Sequence, residues 1–414
     1  MVKNEIKTLD HRTRFMNCLR GLEIDRLPFI EMAGAPWAYS YVQRWDLQGV
    51  PLGSDPRLFF GFDCADVSGA EQGFEKVPVD WYAVPRFPEY ALPDEGEYKR
   101  RIDGRWGRAR REVPSADPAH PIEVRIFEDT RVRSRADWLE FKKRFRHTPE
   151  GRYPEDWERW TAHSKMASHP IALELMGLFS AFTNVLGWAE ETGMYVSFYD
   201  RPEFVHEIID HFTELNLTVS EKALAEARVD FVKLGDQIAG DDRPFISPKQ
   251  MEQFFLPGYR RMIDHLRNRG VEVIIYNADG NVLPFVPMLV DIGIDGLMGL
   301  PRPMDMAGLR ARYGNALCMI GGIDRWVLLK SKEEIEREVD HTLALARKGR
   351  VIPCLNASIL PETPLENYRH YAEYLRSNLT VPLYQGMVKN KMKTAEAQRT
   401  QSVKRQRAKT QKLM

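Results

Sequence analysis

From about residue 170 onward, short apolar runs alternate with stretches whose apolar positions recur at helical spacing. IALELMG (171–177), DFVKLGD (230–236), VEVIIYN (271–277), IDGLMGL (294–300), ALCMIGG (316–322) and RVIPCLN (350–356) predict six strands. Nearly continuous apolar runs of this length suit strands covered on both faces. Helical patterns follow over 201–228, 247–270, 282–293, 304–313, 331–348 and 364–378. Their ends carry the matching chemistry. Asp200 reads as a cap with Pro202 in the first turn, and Ser247 caps with Pro248 behind it and Gly270 as the stop. Such β–α alternation predicts parallel strands joined by right-handed crossovers, and hence an α/β protein of the (β/α)8 (TIM) barrel type.

The N-terminal half is less regular. RLPFIEMAG (26–34) predicts a seventh strand, and the helix before it (10–20) would close the barrel floor. The segment 35–165 is rich in Pro, Trp and Arg and reads as insertions over the barrel mouth. Within it, YKRRIDGRWGRARREV (98–113) predicts a hairpin turning at Asp103-Gly104, and an eighth strand is expected near Cys64-Ala65-Asp66-Val67. Residues 1–382 thus form one expected barrel domain. The rest, 383–414, loses apolar periodicity, and from Met387 it holds nine basic residues and one acid, Glu396. A solvated tail is the simplest reading.

Composition narrows the function classes. Lys+Arg and Asp+Glu are equal at 59 each, so nothing in the balance favours wrapping nucleic acid or coating an anionic membrane. The four cysteines are far apart with no CxxC pair, which predicts reduced thiols rather than a disulfide framework. No run reaches the ~18–20 apolar residues of a membrane span, and the N-terminus lacks an apolar signal region. The expectation is a cytoplasmic protein.

In a (β/α)8 barrel the reactive groups follow the strand ends. That rule selects Glu31, Glu174, Asp236, Asn277 with Asp279, Asp324 and Asn356, with Tyr276 and Asn281 beside them as substrate contacts. Carboxylates crowded at one mouth share protons or a cation, so Asp236, Asp279 and Glu174 are the candidate catalytic groups. The same three with Cys354 are the candidate ligands of a divalent metal bound mainly by oxygen. Each has a structural alternative. Asp236 could order its loop, Asp279 an Asx turn, and Asp324 the next helix; Asn356 and Cys354 could be buried structural groups. Trp37, Tyr39, Trp81 and Tyr82 could wall an aromatic substrate or simply pack.

GDQIAGDDRPFISPKQMEQFFLPGYRRMIDHLRNRG, VIIYNADGN, MDMAGLRARYG and MIGGIDRWVLL, in that order, resemble the uroporphyrinogen decarboxylase superfamily over roughly 170–378. RLPFIEMAG and FFGFDCADV extend the likeness. The resemblance implies a (β/α)8 barrel and one of two chemistries: cofactor-free decarboxylation of a tetrapyrrole, or methyl transfer involving a corrinoid, usually with zinc. Two departures matter. The decarboxylases carry an arginine-rich grip after strand one, whereas EMAGAPWAYSY has no arginine before Arg44. The thiol-activating zinc methyltransferases carry His-x-Cys where Asn277-Ala278-Asp279 stands, and Cys354, near the third ligand's place, is one thiolate short of a Cys/His site.

The resemblance therefore points to members that demethylate small molecules, such as O-methyl aromatics, onto a corrinoid. The chain lacks an Asp-x-His-x-x-Gly motif, so the corrinoid would come on a partner protein. Homodimers are common in the family. The alternatives are a lyase or decarboxylase with Arg243 or Arg325 clamping a carboxylate, and a barrel that binds without catalysis. A nucleic-acid-binding tail is a further, weaker alternative.

Overall fold

A computed structural model describes residues 8–31, 45–50, 56–64, 66–67, 72–96, 98–113, 124–129, 132–187, 191–278, 280–360 and 362–380. Asp279, Trp37, Tyr39, Arg44 and the 383–414 tail lie outside the described residues. Seven parallel strands form one sheet in the order β1 (Glu75–Lys76), β6 (Ile171–Met176), β7 (Phe231–Asp236), β8 (Ile274–Ala278), β9 (Gly296–Met298), β10 (Cys318–Ile323) and β11 (Val351–Leu355). Neighbours in the sheet from β6 onward are also neighbours in sequence, each joined by helical segments. That is the curled architecture of a (β/α)8 barrel.

All six strands read from the apolar runs are present, and the helices lie close to their periodic stretches. Pro202–Glu226 is the longest. Ser247 opens the next helical stretch through a capping box with Gln250, and Ser331 opens Lys332–Ala346 through one with Glu334. Asp200 does not cap: it ends the helix Glu191–Asp200, and Arg201 occupies the cap position before Pro202.

Two strand expectations change. Residues 26–31 lie outside the ladder, buried from Leu27 onward and tied instead by Leu27 N to Leu379 O and by Asp63 N to Phe29 O. The stretch near Cys64 is a turn, with Cys64 itself left-handed at φ 66°, and the strand beside β6 is Glu75–Lys76. The helix His11–Arg20 covers one end of the sheet, where Phe15 meets Phe74 and Phe231 and Cys18 Sγ reaches Val351 O at 3.5 Å.

A second, antiparallel sheet runs β2 (Tyr90–Glu95), β3 (Tyr98–Ile102), β4 (Ala109–Val113) and β5 (Val124–Asp129). The hairpin predicted over 98–113 is its centre. Asp103 makes the turn by accepting from the backbone N–H groups of Arg105, Trp106 and Arg108 at 2.8–2.9 Å. Trp106 anchors this sheet on Phe145 and on Phe212 of the helix Pro202–Glu226. Tyr82 packs edge-on against Trp106 with the Arg105 guanidinium 4.6 Å from its ring, so it is engaged within the insertion. Among the described residues no helix is long and apolar enough to cross a membrane.

Candidate functional site

Side chains alternate across a strand, so the register assigns each candidate to a face. Glu174 pairs in register with Lys233, Met176 with Gly235, and Gly235 with Asn277. Those residues share one face. Glu174 bridges two ammonium groups there: Lys76 Nζ lies 2.9 Å from Oε2 and Lys233 Nζ 2.9 Å from Oε1. Lys233 is 2% exposed and also donates to Gln72 Oε1 at 2.9 Å. Burial works to raise the Glu174 carboxyl, but the charges of Lys233 and Lys76 win and hold it below the usual range. Glycine at 235 leaves the space this carboxylate uses, since a Cβ there would stand 3.2 Å from Glu174 Oε1. One row nearer the strand ends lies Asn277, buried, with an Oδ1 that has no partner among the described residues. A buried amide oxygen left unpaired is costly, so it is poised to accept a hydrogen bond from a ligand.

Asp236, three residues beyond Lys233, has the opposite parity and faces the helices. Its carboxyl accepts from Ser180 N and Oγ, both at 2.8 Å, from Phe179 N at 3.3 Å, and from the Tyr259 hydroxyl. Tyr276, also on this face, is at 3.5 Å. Burial raises the Asp236 carboxyl despite these donors, and burial beside Asp236 drives both phenols well above their usual range. The group knits β7 to the helices Leu178–Leu186 and Leu256–Asn268.

The remaining candidates are dispersed. Glu31 is buried, accepting from Tyr368 Oη at 3.3 Å, and it adds to the burial that raises the Tyr371 hydroxyl. Cys354 is fully buried; burial, then the charge of Glu31, keeps its thiol protonated well above the ordinary range. Asp324 caps the turn Arg325–Leu329 through Trp326 N, and Asn356 Oδ1 accepts from Arg325 N at 3.2 Å. Asn281 bridges its loop, donating to Asp242 O at 3.1 Å and accepting from Leu283 N. Arg243 lies in the 240–247 loop and Arg325 donates to Ser358 O at 3.0 Å.

These positions do not suit the metal expected from them. Both Glu174 oxygens face ammonium groups, Asp236 points to the other side of the sheet, and the Cys354 thiol holds its proton. Among the described residues, the group whose ligand atoms come within 4.8 Å of one another is Glu75, His163 and His169. The strand-end rule missed Lys76, Lys233 and Gln72. Lys233 had a signal: a lysine inside DFVKLGD is as costly unpaired as Glu174 inside IALELMG.

The model of the family described as Uroporphyrinogen decarboxylase (URO-D) matches residues 169–377, from the turn before β6 to the end of the last described helix. The chain belongs to the uroporphyrinogen decarboxylase family. Curated relatives include the chloroplastic uroporphyrinogen decarboxylase of Nicotiana tabacum, 26% identical over 235 residues, which are 54% of this chain and 57% of that one. The uroporphyrinogen decarboxylase of Syntrophotalea carbinolica is 30% identical over 174 residues, 41% of this chain and 47% of that one. The matches thus span about half the length of these family members. A solved methyltransferase from Methanosarcina mazei shares the fold with a TM-score of 0.54 at 16% identity, covering 89% of this chain and 99% of that one.

Proposed function

We propose that this family member is a methyltransferase-like enzyme that removes a methyl group from a small methylated substrate and passes it to a corrinoid on a separate protein. The observation that carries the reading is the Lys76–Glu174–Lys233 cluster, with Asn277 Oδ1, unpartnered among the described residues, one row above it. The methyltransferase with which the chain shares its fold over most of both lengths supports the reaction class. The absence of arginine in EMAGAPWAYSY argues against a substrate bearing many carboxylates.

When the C–O bond of a methyl ether breaks, the electron pair stays on oxygen. A fixed ammonium beside that oxygen stabilises the developing charge. Lys233 and Lys76 supply that charge, Glu174 keeps both oriented, and Asn277 accepts a hydrogen bond from a substrate hydroxyl or amine. The corrinoid, when bound, supplies the nucleophile.

One observation favours a second reading, decarboxylation. Two ammonium groups around one carboxylate leave a net positive charge, which also suits a substrate carboxylate, and the curated relatives are decarboxylases. Incubation with methyl ethers and a reduced corrinoid protein separates the two. Methyl–cobalt absorbance, lost by about 100-fold or more in Lys233→Met, supports methyl transfer. Carbon dioxide release from a carboxylated substrate instead supports decarboxylation. Neither product, across a broad panel, removes both.

A further inference from the structure

At the opposite end of β6 from its C-terminal mouth, three elements bring nitrogen and oxygen ligands to one point. Glu75 stands on β1 with the parity opposite to Lys76, His163 on the helix Trp157–Met166, and His169 two residues before β6. Both imidazole Nε2 atoms converge on one carboxylate oxygen, Glu75 Oε2, at 3.0 Å from His163 and 2.7 Å from His169. The other oxygen, Oε1, accepts from Trp160 Nε1 at 2.9 Å.

We infer that Glu75, His163 and His169 form a binding site for a first-row divalent cation, zinc foremost, that fastens the helix Trp157–Met166 to the floor of the barrel. Two imidazoles and one carboxylate are a donor set zinc uses, with metal–ligand bonds of about 2.0–2.1 Å. A tetrahedral ion with such bonds holds its ligand atoms about 3.3 Å apart. The two Glu75–imidazole separations therefore need to open by only about half an ångström, with all three ligand atoms already within 4.8 Å of one another, and the ring of His163, half exposed at 48%, has room to adjust. The same exposed ring leaves room for water as the fourth ligand and a path for the ion to enter.

The surroundings are built to hold the ligands still. The Trp160 indole occupies Oε1, so Glu75 presents one oxygen to the centre. That is the outer-shell arrangement by which metal sites fix a carboxylate. Arg228 donates to Ala167 O at 2.7 Å and His169 O at 2.9 Å, pinning the turn that carries His169. Its positive charge is partnered by Asp230 at 3.4 Å.

The test uses the full chain, stripped with a chelator and titrated with zinc against a chromophoric competitor. One equivalent of zinc is expected to bind and raise the melting temperature. His163→Ala, whose exposed side chain can be lost without opening the core, and Glu75→Gln should abolish that equivalent. Trp160→Phe should weaken it by about 10- to 100-fold. His147→Ala, which removes the exposed ring that meets His211, should leave it unchanged. As a second measurement, cobalt added to the wild type should give the visible bands of a tetrahedral site, lost in His163→Ala. Absence of a zinc equivalent in the wild type, or its retention in His163→Ala, overturns the inference.

Discussion

Glu174 and Asp236 lie on opposite faces of the same parallel sheet. Glu174 sits between the ammonium groups of Lys76 and Lys233, and Asp236 sits against Ser180 and Tyr259 of the covering helices. The two carboxyls therefore neither share a proton nor share a cation. Their environments drive them apart: two positive charges hold Glu174 ionised, while burial favours the neutral form of Asp236. The proposed division of labour follows, with Glu174 in the cluster assigned to the substrate and Asp236 in the wall.

Removing Lys233 should cost more than removing Lys76. Lys233 is 2% exposed and tied to both Glu174 and Gln72, so Lys233→Ala strips a carboxylate that is itself 30% exposed of its more buried partner. Breaking a fully buried pair costs about 3–5 kcal/mol, and the partial exposure of Glu174 with the remaining Lys76 contact should hold the loss to about 2–3 kcal/mol. Lys76→Ala, at a side chain 34% exposed, should cost about 1 kcal/mol or less. Urea unfolding of both variants measures the difference, and equal losses would contradict the burial argument.

Asp236 is expected to matter for stability rather than for turnover. An amide preserves the shape of the carboxyl: its oxygen still accepts from Ser180, and its nitrogen, in place of Oδ2, can donate to the Tyr259 hydroxyl oxygen, at the cost of the long 3.3 Å bond from Phe179 N. Alanine leaves those donors unpaired inside the protein, at about 1–3 kcal/mol. Asp236→Asn should unfold close to the wild type, Asp236→Ala well below it, and the folded fraction of either should keep kcat within about tenfold. A loss of kcat by orders of magnitude in a folded Asp236→Asn would return the residue to the reacting centre.

The same two residues show how much of the site could be read from the chain. Locating β6 and β7 required only that IALELMG and DFVKLGD be apolar, short and followed by helical periodicity. Their faces required the register, and a shift of one residue turns every side chain to the other side. The strand-end rule thus found Asp236 in place but not in orientation. It passed over Lys233, which the cost of a buried charge would have flagged. Glu75–Lys76 escaped notice because two residues carry no alternation, and Cys64 looked like a strand because a left-handed turn leaves no mark on hydrophobicity. The Glu75, His163 and His169 group joins positions 88 and 94 residues apart, a pairing that only the folded chain brings together.

Gly177 should resist even the smallest side chain. A Cβ there would fall 2.2 Å from Gly235 O and 2.6 Å from Asp236 Oδ1, and the first of these is backbone that cannot swing aside. Gly177→Ala must therefore spread β6 from β7 at the point where the Asp236 hydrogen bonds close. A loss of about 1–3 kcal/mol or more is expected from overpacking. Gly240→Ala, whose nearest neighbour would be 3.6 Å away, is the matched control and should change stability by less than about 0.5 kcal/mol. Similar melting temperatures for the two variants would count against the close approach.

Acid should weaken the packing of the insertion on the barrel through His211. Burial pushes this imidazole down to about 3, helped by neighbouring His147 and Lys142, and the two rings meet with His147 Nε2 3.0 Å from His211 Nδ1. An unfolded histidine takes a proton near pH ~6.5, so between about 6.5 and 3 the unfolded chain binds more protons than the native one. Stability then rises with pH across that window and falls as the solution is acidified, by up to about 1.4 kcal/mol per pH unit from this group. His211→Phe keeps a ring against Trp138, whose centroid is 5.2 Å away, and removes the titration. Unfolding free energies measured at about pH 7 and about pH 5 should differ by about 2 kcal/mol less in His211→Phe than in the wild type. An unchanged difference would show that His211 already carries its proton in the folded protein.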